Sequence, residues 1–199
     1  MRNGHYLFYD GSDDVFTGGM KGEHFHLFLD YLYQKCDTIS LDYACLSQGS
    51  VVPRFLGENH WDFYQKMRTY ELPAIYVRDW FANCYTRDRD DMDYNFDGYF
   101  KVCLFKFNKK VLDLLKLYLT DGLFMFKKQG TSDVFPLENL CFFRNKNLFL
   151  GTLSHEFIAK SFPDTKDELI ELEKAVPHPF KWMPMDIERI TDKDYLKLG

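Results

Sequence analysis

The stretch "LCFFRNKNLFLGTLS", residues 140–154, contains two apolar runs separated by a short polar one. "LCFFR" and "LFLGTLS" are rich in Leu and Phe, which is typical of buried strands, and "NKN" (Asn145 to Asn147) supplies a three-residue polar turn. Two strands joined by so short a turn run antiparallel. A hairpin in a chain that also carries helical patterns favours an α+β fold over a doubly wound parallel sheet.

Segments outside this hairpin alternate between strand and helix periodicity. Apolar residues from Phe25 to Cys36 recur every three or four positions, which predicts an amphipathic helix. In "TISLDYACL" Ile39 alternates with Ser40, which predicts a half-buried strand, whereas both faces of "YFKVCLFKF" are apolar and predict a strand covered on both sides. Further strands are predicted at residues 5–10, 74–81 and 123–128, and a loop at 129–136.

Capping residues predict where the helices begin and end. Thr165 and Glu168 have the spacing of a capping box before "KDELIELEKA". Ser154 is expected to cap a helix over residues 155–162, which Pro163 ends. The other predicted boundaries are an N-cap at Asn59, a stop at Pro73 and a C′ residue at Gly122. The fold predicted is therefore α+β, a largely antiparallel sheet with four to five helices packed against it.

Length and composition suit a single folded domain. The chain has 199 residues, 46% of them hydrophobic, which is enough to bury a core without disulfides or metal. Residues 1–176 are expected to form the globular domain. The segment 177–199 contains Pro177, Pro179 and Pro184, so we expect an extended tail packed on that domain.

Charge and cysteine content exclude several classes of function. The formal net charge is -5 and the Lys and Arg residues are dispersed, so nucleic-acid binding is not expected. No apolar run resembles a signal peptide or approaches the ~18 residues of a membrane span. The cysteines show no C-x-x-C spacing, which indicates buried, reduced thiols in a cytoplasmic protein; they are Cys36, Cys45, Cys84, Cys103 and Cys141.

The sequence "DYNFDG", residues 93–98, matches the opening of a calcium loop, D-x-[DN]-x-[DN]-G. Asp93, Asn95 and Asp97 would supply oxygens at the first, third and fifth positions. The twelfth position should be a bidentate Glu, but it is Leu104, and the residues after Gly98 have a strand pattern instead of a helical one. An acidic hairpin turn is therefore favoured, and a weak metal loop is the alternative. No metal or cofactor is expected.

A wider acidic run surrounds this motif. Between residues 88 and 97 there are five aspartates and only one cation, Arg89, so like charges repel one another. A solvated loop accounts for this pattern, and the functional alternative is a surface that attracts a basic protein through carboxylates and aromatic anchors. Under that hypothesis the partner-binding residues are Asp13, Asp14, Asp88, Asp90, Asp91, Asp93, Tyr94 and Asp97.

Other candidate chemistry is incomplete in the sequence. His24 and His26 stand two apart in a helical pattern, so they point about 200° apart and do not converge on one metal. Cys141 with His155 and Glu156 contains the residue types of a nucleophilic site, but a thiol in a buried apolar strand is inert. The glycine-rich loop at residues 10–22 lacks both nucleotide-binding patterns.

The sequence therefore leaves three hypotheses open. The first is a non-enzymatic module that occupies a basic protein partner, as an immunity or inhibitor protein does. The second is a metal-dependent hydrolase or phosphoesterase that uses the carboxylates between Asp88 and Asp97. The third is a small-molecule or nucleotide sensor with an aromatic pocket near the glycine-rich loop.

Overall fold

The computed structural model describes residues 4–9, 20, 22–41, 58–77, 100–119, 122–123, 125–127, 130, 134–136, 140–153, 158–176, 180–185 and 198. The strands are β1 (His5–Tyr9), β2 (Thr38–Leu41), β3 (Glu71–Val77), β4 (Phe100–Lys106), β5 (Met125–Lys127), β6 (Val134–Pro136), β7 (Cys141–Arg144), β8 (Asn147–Leu153), β9 (Ile158–Ser161) and β10 (Phe180–Pro184). The α-helices are α1 (Gly22–Lys35), α2 (Glu58–Met67), α3 (Lys109–Tyr118) and α4 (Lys166–Ala175), and a 3-10 helix covers Arg68–Tyr70.

Eight strands form one sheet in the order β10-β1-β9-β8-β7-β2-β4-β3, and every neighbouring pair is antiparallel. β5 and β6 form a separate antiparallel pair, so part of the loop predicted at residues 129–136 is a strand. β10, which comes from the predicted tail, pairs with β1 at the sheet edge. The prediction of an α+β fold with an antiparallel sheet is confirmed, and the described residues contain four α-helices.

The hairpin between β7 and β8 has a tighter turn than the sequence suggested. Arg144 pairs with Asn147 across the turn, so Asn147 already belongs to β8 and only two residues connect the strands. Asn145 and Lys146 have φ angles of 47° and 66°, the left-handed conformation that a type I′ turn requires. Asn tolerates this conformation well, and the turn's twist matches that of the strands.

The helices and one face of the sheet share the larger of two hydrophobic clusters. The stripe predicted for α1 is confirmed, because Phe25, Phe28 and Leu32 are buried in this cluster together with residues of α2, α3 and α4. Burying one such side chain contributes about 1.5–3 kcal/mol. Two helix starts are capped by side chains: Asn108 accepts from the backbone of α3, and Thr165 accepts from Glu168 N, as the capping box predicted.

The opposite face of the sheet carries a second cluster. In β4, Val102 and Leu104 belong to this cluster while Cys103 and Phe105 belong to the first, which confirms that both faces of this strand are covered. Leu198, far along the chain, is buried in the second cluster, and its backbone N–H donates to Lys146 O at 2.7 Å. The β7–β8 turn thus also anchors a residue from the end of the described chain.

The predicted helix over residues 155–162 is wrong. Residues 158–161 form β9 instead, which pairs with β8 on one side and β1 on the other. Ser154, expected to cap that helix, lies outside the described residues. Backbone pairing on both sides stabilises an extended conformation that local sequence preference does not indicate.

Three smaller predictions also differ from the structure. Ser40 is fully buried, because β2 lies between β7 and β4 in the centre of the sheet and both of its faces are covered. α2 begins at Glu58, one residue before the expected cap at Asn59, and ends at Met67, so Pro73 does not stop it. Pro73 instead lies in β3 near a register shift, and edge strands tolerate proline at such a position. Gly122 was predicted as the C′ residue of α3 but follows the end of that helix by four residues. Its φ is 108°, and a Cβ added at this position would lie 2.4 Å from Met20 O.

Candidate functional site

Strand direction divides the sheet into two ends with different connections. The name "loop end" is used for the end of the sheet at which β1, β2, β3 and β8 finish. The opposite end is called the "turn end". Because all neighbours are antiparallel, β4, β7, β9 and β10 begin at the loop end. Residues 10–19, 42–57, 78–99 and 154–157 therefore all join the sheet at the loop end.

The predicted partner-binding residues all belong to two of these segments. Asp13 and Asp14 lie in segment 10–19, and Asp88, Asp90, Asp91, Asp93, Tyr94 and Asp97 lie in segment 78–99. All eight fall outside the described residues. Their points of attachment are described: Tyr9 is opposite Phe180, and Val77 is opposite Phe100.

The two attachment points are well separated along the loop end. β1 and β3 are six strand steps apart in the sheet order, and neighbouring strands are spaced by about 4.8 Å, which gives roughly 29 Å. Leu104, at the twelfth position of the calcium pattern, is a buried residue of β4 and supplies no side-chain oxygen. The strand pattern predicted after Gly98 is confirmed from Phe100 onwards.

Asp37 organises the turn end of the sheet. Its carboxylate accepts hydrogen bonds from the Asn145 backbone N–H and from the Thr38 hydroxyl, both at 2.7 Å. Its own backbone N–H donates to Phe143 O at 2.9 Å, and its carbonyl accepts from Phe107 N at 2.8 Å. Asp37 therefore links the start of β2 to the ends of β4 and β7. Sequence patterns did not indicate this role, because the partners Phe107, Phe143 and Asn145 are remote along the chain.

A second polar cluster joins the β7–β8 hairpin to α4. Both terminal nitrogens of Arg144 donate hydrogen bonds to the Glu168 carboxylate, and Nη2 also donates to Asp164 at 2.5 Å. Glu168 accepts a further hydrogen bond from Asp164 N. Burial opposes ionisation of Glu168, but the hydrogen bonds from Arg144 and Asp164 N outweigh it, so the pKa of Glu168 is lowered. The capping box identified Glu168 without revealing its partner Arg144.

Thiols and histidines of the described residues do not assemble a reactive centre. Cys36, Cys103 and Cys141 are buried, as predicted. Burial raises the pKa of the Cys36 thiol, which disfavours the reactive thiolate. His26 is hydrogen-bonded through Nε2 to Lys116 O at 3.1 Å, and His155 lies outside the described residues.

Two features of the described segments concern metals and membranes. In these segments no group of three or more His, Cys, Asp or Glu side chains is arranged to hold a metal ion. No described helix has both the length and the apolar character that crossing a membrane requires.

A third polar cluster lies on the helical side of the molecule. The Tyr118 hydroxyl donates to Asp62, and Lys66 donates to the same carboxylate at 2.7 Å and to the Tyr118 oxygen at 3.2 Å. The cluster connects α2 with α3 beside the ring contact of Phe63 and Tyr118, whose centroids are 5.1 Å apart. Asp62 and Tyr118 are 56 residues apart along the chain, so local sequence spacing does not indicate this contact.

Comparison of the chain with protein-family models, with curated proteins and with solved structures gives no match.

Proposed function

We propose that this protein is a binding module that acts by occupying a basic protein partner, in the manner of an immunity or inhibitor protein. The observation that carries the proposal is that both aspartate-rich segments join the sheet at the same end. Segment 10–19 has three aspartates and no Lys or Arg, and segment 78–99 has six aspartates against three arginines. Carboxylates gathered on one side of a molecule speed the encounter with a basic surface.

The separation of the attachment points favours a protein over a small ligand. Roughly 29 Å between β1 and β3 matches the width of an interface that buries about 800 Å² on each partner. A magnesium or calcium ion needs its oxygens within about 2.6 Å. The metal-dependent hydrolase therefore remains an alternative that rests on the Asp88–Asp97 carboxylates alone. A rise in melting temperature with millimolar Mg²⁺ or Ca²⁺ would favour it.

A pair of matched variants tests the proposal. The first replaces three loop-segment carboxylates: Asp90→Asn, Asp91→Asn and Asp93→Asn. The second removes the same charge from exposed helix positions: Glu23→Gln, Asp167→Asn and Glu173→Gln. Tagged wild type and both variants are incubated with native lysate at about 50 and 200 mM salt, and co-purifying proteins are quantified by mass spectrometry.

We expect wild type and the helix variant to retain one basic protein at low salt, in roughly equimolar amount. The loop variant should lose at least about 90% of it, because association through charge is screened and weakened when three carboxylates are removed. Equal retention by both variants would contradict the proposal, and so would the recovery of no stoichiometric partner at either salt concentration.

A further inference from the structure

A cavity of about 380 Å³ lies where the end of α2, the 3-10 helix and α3 meet. This volume falls at the lower end of the range typical of small-molecule sites, about 300–1,000 Å³. Its apolar wall is formed by Leu114 and Leu117, both half-buried on α3. Its polar wall carries the ends of Lys66, Thr69 and Tyr70.

Two of the charges at the cavity are already neutralised by neighbours. Lys66 is paired with Asp62 at 2.7 Å, and Asp113, which also lines the cavity, is paired with Lys109 at 2.8 Å. These pairs leave the ammonium group of Lys110 as the net charge of the lining. The cavity is therefore cationic by about one charge, although the whole chain is acidic.

Three hydrogen-bond donors at the cavity are not used within the described part of the chain. The Lys110 ammonium makes no hydrogen bond or ion pair there, and neither hydroxyl of Thr69 and Tyr70 is hydrogen-bonded to another described group. Donors without a described partner and two leucines in one lining match a ligand with an acceptor-rich anionic end and an apolar body.

We propose that this cavity binds a small amphipathic anion, a carboxylate carried on a short apolar or aromatic body. The carboxylate accepts hydrogen bonds from Lys110, Thr69 and Tyr70, and the body packs on Leu114 and Leu117. This site lies on the helical side of the molecule and is independent of the proposed protein partner. The sensor hypothesis drawn from the sequence expected a pocket near the glycine-rich loop, whose residues 10–19 lie outside the described part of the chain, whereas the described lining of this cavity comes from α2, the 3-10 helix and α3.

The binding test is a titration of the whole protein with 4-fluorobenzoate, followed by two-dimensional amide NMR. We expect saturable shifts at residues 69, 70, 110 and 114, with a dissociation constant of about 1 mM, the affinity typical of a ligand with so few atoms. The neutral analogue 4-fluorobenzyl alcohol should bind more weakly, because it lacks the charge that Lys110 pairs with. Absence of saturable shifts at these residues would overturn the proposal, as would equal affinity for the alcohol.

Substitutions at Lys110 test the charge directly. Lys110 is exposed on α3, so the dispersed amide spectrum of Lys110→Gln should match that of the wild type. Lys110→Gln should raise the dissociation constant about three- to fivefold, the effect of one solvent-accessible ion pair. Lys110→Arg should retain binding, and Lys166→Gln, which removes an exposed lysine from α4, should not alter it. An unchanged constant in Lys110→Gln would refute the assignment.

Discussion

The turn end and the loop end of the sheet differ in the connections that join their strands. At the turn end, a two-residue turn joins β7 to β8, while Asp37 bonds to three neighbouring strands. Arg144 also ties the hairpin to α4 at this end. At the loop end, residues 154–157 join β8 to β9, and longer segments follow β1, β2 and β3, of which residues 78–99 are the longest. The turn end thus carries a described network of hydrogen bonds and ion pairs, whereas the aspartate-rich segments that join the loop end lie outside the described residues.

This difference suggests that stability and recognition are separated along the strands. Segments carried by a rigid scaffold vary in sequence without loss of the fold, which is why binding residues so often occur in them. We therefore expect substitutions at the turn end to change the free energy of unfolding, and substitutions in the aspartate-rich segments to change partner binding.

The largest effect is expected in the hairpin core. Phe142 in β7 is fully buried, and its ring centroid lies 5.4 Å from that of Phe107. Phe142→Ala should lower the free energy of unfolding by about 3–5 kcal/mol, because it leaves a cavity in a packed cluster. Urea denaturation measures this value. Tyr94→Ala, in segment 78–99, is the comparison, and an equal loss there would break the distinction between the two ends.

The next effect concerns Glu168 and depends on pH. Glu168→Gln should cost about 1.5–3 kcal/mol at pH 7, the contribution typical of hydrogen bonds to a charged group. The pKa of Glu168 is lowered in the folded protein, so its stabilisation is complete above the unfolded-state pKa and is lost as pH falls through the folded-state pKa. Urea denaturation at pH 7 and at about pH 3 should show the difference between wild type and variant shrinking in acid.

Glu171 provides the matched control for this measurement. Its side chain is 53% exposed and pairs with Lys35 at the surface, so Glu171→Gln should cost less than about 1 kcal/mol. A Glu168→Gln variant that differs from wild type equally at both pH values would show that Glu168 stabilises α4 by packing and not by its charge.

A smaller effect of opposite sign is expected in the β7–β8 turn. Lys146 has a φ of 66°, a conformation that Gly adopts without strain. Lys146→Gly would create the Asn-Gly pair that type I′ turns favour, and should raise the free energy of unfolding by about 0.5 kcal/mol. Lys166→Gly at the start of α4 should instead lower it. A destabilised Lys146→Gly variant would contradict the turn geometry.

The smallest effect on stability is expected in the aspartate-rich segment. The triple variant Asp90→Asn, Asp91→Asn and Asp93→Asn should change the free energy of unfolding by less than about 0.5 kcal/mol at moderate salt, because the sequence predicts a solvated loop for these carboxylates. Thermal denaturation at low and moderate salt measures this change. A loss of more than about 2 kcal/mol in the free energy of unfolding would contradict this expectation and would mean that these carboxylates form hydrogen bonds or ion pairs that stabilise the fold.

Much of the fold was predictable because it depends on local patterns. The α1 stripe, the covered strand around Phe105 and the cap at Thr165 all follow from spacing within about ten residues, and all are confirmed. The helix predicted over residues 155–162 failed because β9 is stabilised by β8 and by β1, and the second of these is about 150 residues away. Such pairing leaves no local signature.

The candidate site was predictable only in its composition. The sequence identified the aspartates, but it did not indicate that their two segments join the same end of one sheet, since that depends on strand order. The grouping of Thr69 and Tyr70 with Lys110 could not be predicted from the sequence either, because it depends on the packing of α2 against α3.

The position of β1 has a consequence for how the chain is made. Its two neighbours are β9 and β10, so β1 leaves the ribosome before the other described strands and has no partner in the sheet until residues 158–184 follow. Throughout most of synthesis both edges of "HYLFY" offer unpaired backbone groups, which invite association with other chains. We therefore expect the nascent chain to depend on chaperones that shield β1, and a version truncated before β9 to aggregate.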